Sequence, residues 1–222
     1  YCWRCETPLS NHELRMDDEV YKNRQDQTVT VTFPILEAQR FAGVKLLAWT
    51  TTPWTLPSNT ALTVGPQIEY ALVATYNQYT YEPIQVILAK NLVAYQFAKG
   101  FAAVETVAEL QNYTAGDKQI PYVVIGTCKG QDLIGLKYQQ LLAFAQPAEN
   151  PQEAFRVIGG DFVTTEDGTG IVHTAPTFGA DDARVAAEAG VPGLLVSDER
   201  GNLVPLVDLQ GRFRPEVGPY AG

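Results

Sequence analysis

The sequence predicts a mixed α/β domain built on a curled or barrel-like sheet. Two observations carry this. Short β-branched or alternating segments recur from Thr28 to Val207, separated by Gly, Pro, Asn and Asp turn chemistry. Helical patterning is confined to two stretches, with no internal repeat or low-complexity tract.

In chain order, residues 1–27 are polar and turn-rich, and read as a small knuckle and connecting loop set apart from a body at 28–222. Thr28–Phe33 alternates and is β-branched, so it is a strand that Pro34 ends or confines to an edge. Val44–Thr52 is a second strand, stopped by Pro53 and Pro57. Glu69–Tyr76 and Ile84–Ala89 follow as strands, with Asn77-Gln78 supplying a turn. Asn91–Lys99 has a helical pattern, with Asn91 placed to cap its start and Gly100 just past its end. Ile120–Gly126 is apolar between polar flanks and reads as strand, while Pro147–Gln152 reads as a flexible loop. Phe155–Thr165 and Gly170–Ala175 are expected as strands joined by a turn at Glu166-Asp167-Gly168. Gly179–Gly190 has acids at its start, alanines inside and a glycine after, which predicts a helix. Leu194–Ser197 and Leu203–Val207 flank the turn Asp198–Asn202.

Composition bounds the function. Hydrophobic residues at 45% and charged residues at 18% are ordinary for a globular chain able to bury a core. A formal charge of −9 argues against gripping long stretches of nucleic acid through phosphates, but leaves room for receiving one single-stranded end. Three cysteines supply no disulfide framework and point to a reducing compartment, the cytoplasm. No apolar run reaches membrane-spanning length. The chain opens inside Cys2-Trp3-Arg4-Cys5 without an initiator Met, the expectation for a fragment of something longer.

Four motifs bear chemistry, each beside a plainer structural reading. In Trp49-Thr50-Thr51-Thr52-Pro53-Trp54-Thr55-Leu56-Pro57-Ser58-Asn59, a strand places Thr50 and Thr52 on one face and Thr51 on the other, and the prolines then turn the chain out. Such an edge offers hydroxyls to a polar ligand, although threonine also simply favours strands. In Gly168-Thr169-Gly170-Ile171-Val172-His173-Thr174-Ala175-Pro176, the period of two puts Ile171, His173 and Ala175 on one face, where His173 shapes a pocket wall or serves as a satisfied structural residue. The absence of Gly-Lys-Ser/Thr excludes a phosphate loop, and the strand that follows argues against a dinucleotide fold. Phe178-Gly179-Ala180-Asp181-Asp182 carries two acids where one cap suffices, so one faces a cation or both serve the helix start.

Cys2 and Cys5 form half of a four-ligand zinc site; Cys128 stands alone, and the spacing of His12 gives it no support as a further ligand. The half site disfavours a metal-dependent hydrolase. With only His12 and His173 as histidines and no nucleophile elbow, water is the expected attacking group of any hydrolase here.

Read together, WTTTPWTLPSN (49–59), GTGIVHTAP (168–176) and FGADD (178–182) resemble, in that order, the editing insertion (connective peptide) of isoleucyl-tRNA synthetases, class I enzymes. The flanks YCWRCETPLSNHE and GRFRPEVGPYAG also fit, and residues 75–150 fit least. Valyl and leucyl relatives tend to carry Thr-Thr-Arg-Pro in the first motif, so Thr52 followed by Pro53-Trp54 favours the isoleucyl branch.

The resemblance implies a barrel-like β core with peripheral helices, inserted into a larger synthetase. Its implied activity is deacylation of valyl-tRNA specific for isoleucine. A methylene contributes only ~1–3 kcal/mol of binding, a limit for which isoleucyl-tRNA synthetase is itself the standard worked case, so a second, smaller site supplies the missing selectivity. The resemblance implies that Asp182 holds the α-ammonium of the misattached amino acid. Thr50, Thr51, Thr52 and Thr55 line the site, Asn59 supports this edge, and Trp54 and Phe178 belong to the substrate-binding set. His173, with Ala175 beside it, limits the pocket and rejects isoleucine. Water attacks the ester carbonyl, positioned by the ribose hydroxyl of the terminal adenosine.

No cofactor is implied for editing. Zinc at Cys2 and Cys5 requires partner cysteines beyond Gly222, and ATP serves only the parent enzyme. The implied partners are the tRNA 3′ end and the remainder of the synthetase, with no membrane; the fragment is expected to be monomeric and to bind tRNA weakly by itself. Two rivals stay open: an editing domain for a neighbouring amino acid, and a non-catalytic insertion that binds the tRNA end or braces the synthetase.

Overall fold

The structure, a computed structural model, describes Thr7, Ser10 and residues 25–36 and 41–222. The described residues form strands β1 (Val29–Pro34), β2 (Val44–Thr50), β3 (Ala61–Val64), β4 (Glu69–Tyr76) and β5 (Pro83–Ala89). Helix α1 (Val93–Gln96), β6 (Phe101–Ala103), α2 (Val107–Leu110) and β7 (Ile120–Lys129) follow. The chain continues with β8 (Arg156–Gly159), β9 (Ile171–Thr174), α3 (Ala180–Ala189), β10 (Leu195–Ser197) and β11 (Leu203–Pro205).

Nine strands make one mixed sheet in the order β6-β7-β4-β5-β2-β9-β3-β8, with β1 paired to β2. The mixed α/β class is as the sequence predicts. The ladder ends at β6 and β8, so the sheet does not close into a barrel. β2 is its hinge. Its first residues, Val44–Leu46, pair in parallel with β5, while Trp49 pairs in parallel with Val172 of β9. β5 and β9 therefore diverge from one edge of β2, and the divergence opens a cleft beyond Trp49.

Alternation explains the layers. Val44, Leu46 and Ala48 point into the main core with Phe33, Leu62, Val64, Tyr70 and Ile87. The opposite face of β4 and β5 buries Ala71, Val73, Val86 and Leu88 under Val93 and Phe97. Helix α3 sets Val185 and Ala186 against Ile158 and Ala61, which anchors its N-terminal end beside β9.

Several elements depart from the sequence reading. β3 has no alternation to detect, because all four residues are buried between antiparallel β9 and parallel β8. Phe155–Thr165 is a strand only at Arg156–Gly159. A Cβ on Gly160 would lie 2.4 Å from the Thr63 side chain, so the chain passes tightly over β3 there and leaves the sheet. Asn91 caps no helix; its amide donates to Thr165 Oγ1 (2.9 Å), and Asn91–Lys99 holds only a 3-10 turn leading into α1. β7 continues past Gly126 to Lys129, paired with β4 across a register shift at Leu72/Val73. β6 and α2 went unread, being too short to show a period. Pro147–Gln152 leads into a 3-10 turn at Pro151–Glu153. β10 and β11 pair across the turn expected at Asp198, whose Oδ1 accepts the N–H groups of Arg200 and Asn202. Cys2, Cys5 and His12 lie outside the described residues. Among the described residues no helix is long and apolar enough to cross a membrane.

Candidate active site

The cleft where β5 and β9 part has a volume of about 380 Å³ and is lined by Thr50, Thr51, Thr52, Trp54, Thr55, His173, Ala175, Phe178 and Asp182. Asn59, expected at this edge, lies behind the wall rather than on it. The expected strand Val44–Thr52 ends at Thr50 because Pro53 starts a 3-10 helix, Pro53–Ser58, in which proline's fixed φ and missing N–H fit the first turn. Thr50 Oγ1 accepts the N–H of Thr52 (3.0 Å), and the two hydroxyls stand 3.3 Å apart. Thr50 and Thr55 are buried, while Thr51 and Thr52 are open to solvent.

His173 is brought to this row by β9. Asn59 Nδ2 donates to Ala61 O (2.8 Å), which orients the amide, and also to His173 Nδ1 (2.9 Å). Nδ1 is therefore the acceptor, and the neutral ring carries its proton on Nε2. Nε2–H donates to Thr55 Oγ1 (2.9 Å), whose own proton goes to Thr52 O (2.8 Å). Both ring nitrogens are occupied, so His173 serves the cleft as a fixed wall and not as a proton acceptor.

Burial pushes the His173 pKa from 6.5 down to about 4. The unfolded chain takes up this proton first. The contribution of His173 to stability is complete above about pH 6.5 and falls by ~3 kcal/mol as the pH drops towards 4. Urea unfolding against pH measures the loss, and NMR titration of the His173 ring is expected to show a midpoint near 4; a midpoint near 6.5 would refute the buried network.

Asp182 sits in the first turn of α3, half-buried, where Gly179 rather than an acid is the N-cap residue. Its Oδ2 accepts the Ala175 N–H (2.8 Å), and among the described residues Oδ1 has no hydrogen-bond partner. Burial raises its pKa, the Ala175 hydrogen bond opposes this, and Asp181 adds to the rise. The adjacent Asp181 is exposed and lies 3.7 Å from the Arg184 guanidinium. The two acids thus divide, one towards a surface cation and one towards the cleft. At the rim, Trp54 and Phe178 meet edge to face with ring centres 5.1 Å apart.

Sequence reasoning did not assign to the cleft four further lining residues, Phe162 and Thr164 on the segment read as strand, Asp167 in the turn expected after it, and Thr169 in the following motif. Gly170 marks it: at φ +71 it approaches Ala89 so closely that a Cβ would come within 2.4 Å. The Tyr70 hydroxyl donates to Gly170 O (2.7 Å) and accepts the Gly65 N–H, which holds this floor. No cluster of three or more His, Cys, Asp or Glu suited to a metal occurs among the described residues.

No family model matches the chain. It is 53% identical over 217 residues to the isoleucine–tRNA ligase of Cytophaga hutchinsonii, covering 97% of this chain and 19% of that protein. It is 43% identical over 216 residues to the isoleucine–tRNA ligase of Mycobacterium tuberculosis, covering 96% of this chain and 18% of that protein. The chain thus spans about a fifth of the length of these curated relatives. The solved structure of GlLeuRS-CP1 superposes with a TM-score of 0.50 at 17% identity, covering 84% of this chain and 73% of that one, a likeness of fold. Along nearly all of its length, the chain thus corresponds to a segment of the isoleucine–tRNA ligases, and that segment has a fold like that of GlLeuRS-CP1.

Proposed function

We propose that this chain hydrolyses the ester of valine misattached to the tRNA for isoleucine. One observation carries the reading: a half-buried carboxylate, Asp182, and a neutral, doubly hydrogen-bonded imidazole, His173, line the same cleft of about 380 Å³. The carboxylate suits an α-ammonium through a charge-assisted hydrogen bond. The imidazole, unable to rotate without losing both partners, suits the exclusion of a side chain one methylene longer than valine.

Between them, the hydroxyls of Thr50, Thr51, Thr52 and Thr55 supply donors and acceptors for the ester and the ribose of the terminal adenosine. Trp54 and Phe178 offer aromatic surface at the mouth. His173 makes a poor general base, because its free lone pair is already taken by Asn59. Water is therefore the nucleophile, placed by the threonine row and the substrate's own ribose hydroxyl. The formal charge of −9 fits a domain that meets only the 3′ end while other parts of a synthetase hold the tRNA.

Incubating the chain with preformed valyl-tRNA and isoleucyl-tRNA of the isoleucine acceptor tests this. Ester loss is expected from valyl-tRNA and not from isoleucyl-tRNA. Loss from neither, repeated in a full-length synthetase carrying these residues, would leave a bracing or 3′-end-binding role.

A further inference from the structure

Tyr138 lies between β7 and β8, in the part of the chain where no motif is legible, and is 1% exposed. It is held on all sides. Its N–H donates to Phe155 O (2.9 Å), and the Phe155 N–H donates to Thr60 O (2.7 Å). On either side of it, Leu36 N–H donates to Lys137 O and Gln139 N–H donates to Pro34 O, each at 2.8 Å. Its ring meets Phe33 edge to face at 5.2 Å. Phe155 makes its two bonds from a left-handed conformation, φ 59, which a bulky side chain rarely adopts. A strained residue thus braces a tyrosine that does not reach the cleft.

The Tyr138 hydroxyl donates to Asn59 Oδ1 (2.7 Å). Burial pushes its pKa well above the ordinary value, so it stays a donor. The Asn59 amide is then gripped from both sides: Ala61 O receives from its nitrogen and Tyr138 gives to its oxygen. A continuous relay follows, Tyr138 to Asn59 to His173 to Thr55 to the Thr52 carbonyl, each donor committed to the next acceptor.

We propose that Tyr138 is a positioning residue for the cleft, its hydroxyl holding in place, together with the Ala61 carbonyl, the Asn59 amide that orients the His173 ring. Phenylalanine would fill the same space and keep the edge-to-face contact with Phe33, so packing alone does not require the hydroxyl. Without it, Asn59 Oδ1 is buried with no donor. A full turnover of the amide would set Oδ1 against the Ala61 carbonyl, so the amide instead tilts in search of a donor, which loosens its hydrogen bond to His173 Nδ1 and with it the hold on the ring and on Thr55. The effect thus travels to the hydroxyl row. Its consequence for selectivity rests on the editing reading; its consequence for His173 does not.

The test uses the nitrogen NMR signals of His173 in the chain and in Tyr138→Phe. In the unsubstituted chain, Nδ1 is expected to be unprotonated and Nε2 protonated from about pH 5 to 8. A protonated Nδ1 would overturn the relay without any variant. In Tyr138→Phe the Nδ1 signal is expected to shift as its hydrogen bond from Asn59 weakens, and discrimination between valyl and isoleucyl esters to fall on the order of tenfold. A variant that melts at lower temperature but keeps the His173 signature and the discrimination would make Tyr138 a packing residue only, and the proposal would be wrong. Should neither ester be cleaved by the unsubstituted chain or by a full-length synthetase carrying these residues, the editing reading falls, and the nitrogen signals decide the relay alone.

Discussion

Asp182→Ala is expected to lower hydrolysis of valyl-tRNA by on the order of a hundredfold or more, since an ion pair in a partly desolvated site is lost outright. The carboxylate is half-buried and lines the cleft, so an α-ammonium placed there finds its counter-charge at this position. Alanine removes two things, the charge and the acceptor for the Ala175 N–H. Asp182→Asn separates them, because the amide oxygen still accepts from Ala175. The asparagine variant is expected to lose hydrolysis as the alanine variant does. Its melting temperature at neutral pH should not fall, because burial disfavours the ionised carboxylate that it replaces. Initial rates of ester loss and a thermal melt on both variants check this. An asparagine variant with full activity would show that charge at this position does not bind substrate.

His173→Ala is expected to open the cleft to isoleucine, raising hydrolysis of isoleucyl-tRNA by ~10–100-fold while valyl-tRNA is still cleaved. The ring is far larger than the single methylene to be excluded, and its two hydrogen bonds prevent it from swinging aside. The same deletion leaves the Asn59 amide and the Thr55 hydroxyl without this partner, so some stability is lost, and cleavage of valyl ester in the same preparation is the internal control. Isoleucyl ester left intact beside cleaved valyl ester would remove His173 as the size filter.

Much of the sheet was legible from the length and the β-branched or aromatic content of its strands and from the turn residues between them. Glu69–Tyr76 coincides with β4, and Ile84–Ala89 lies within β5, although both faces of each strand pack on a core. Ala61–Val64 escaped because burial on both faces erases the period, and Phe155–Thr165 was misread because its break is imposed by contact of Gly160 with Thr63, distant in sequence. The cleft positions of Thr164, read as strand, and Asp167, read as turn, were not legible for the same reason: they follow from how the chain leaves β8, and local composition does not record it.

By itself, the sequence determined the mixed α/β class, the family resemblance, and the cast of the cleft: the threonines of 50–55, His173 with Ala175, and Asp182. These are properties of local pattern and of motif, and a linear chain carries them in full. Only the tertiary structure decided that the ladder stays open, that Asn59 stands behind the wall, and that Phe162, Thr164, Asp167 and Thr169 join the lining. The protonation of His173 belongs to the same class. Thr55 and Asn59 reach it from 118 and 114 positions away, and Tyr138 reaches Asn59 across 79. A tautomer is set by whichever donors and acceptors surround the ring, and those neighbours exist only once the strands have paired.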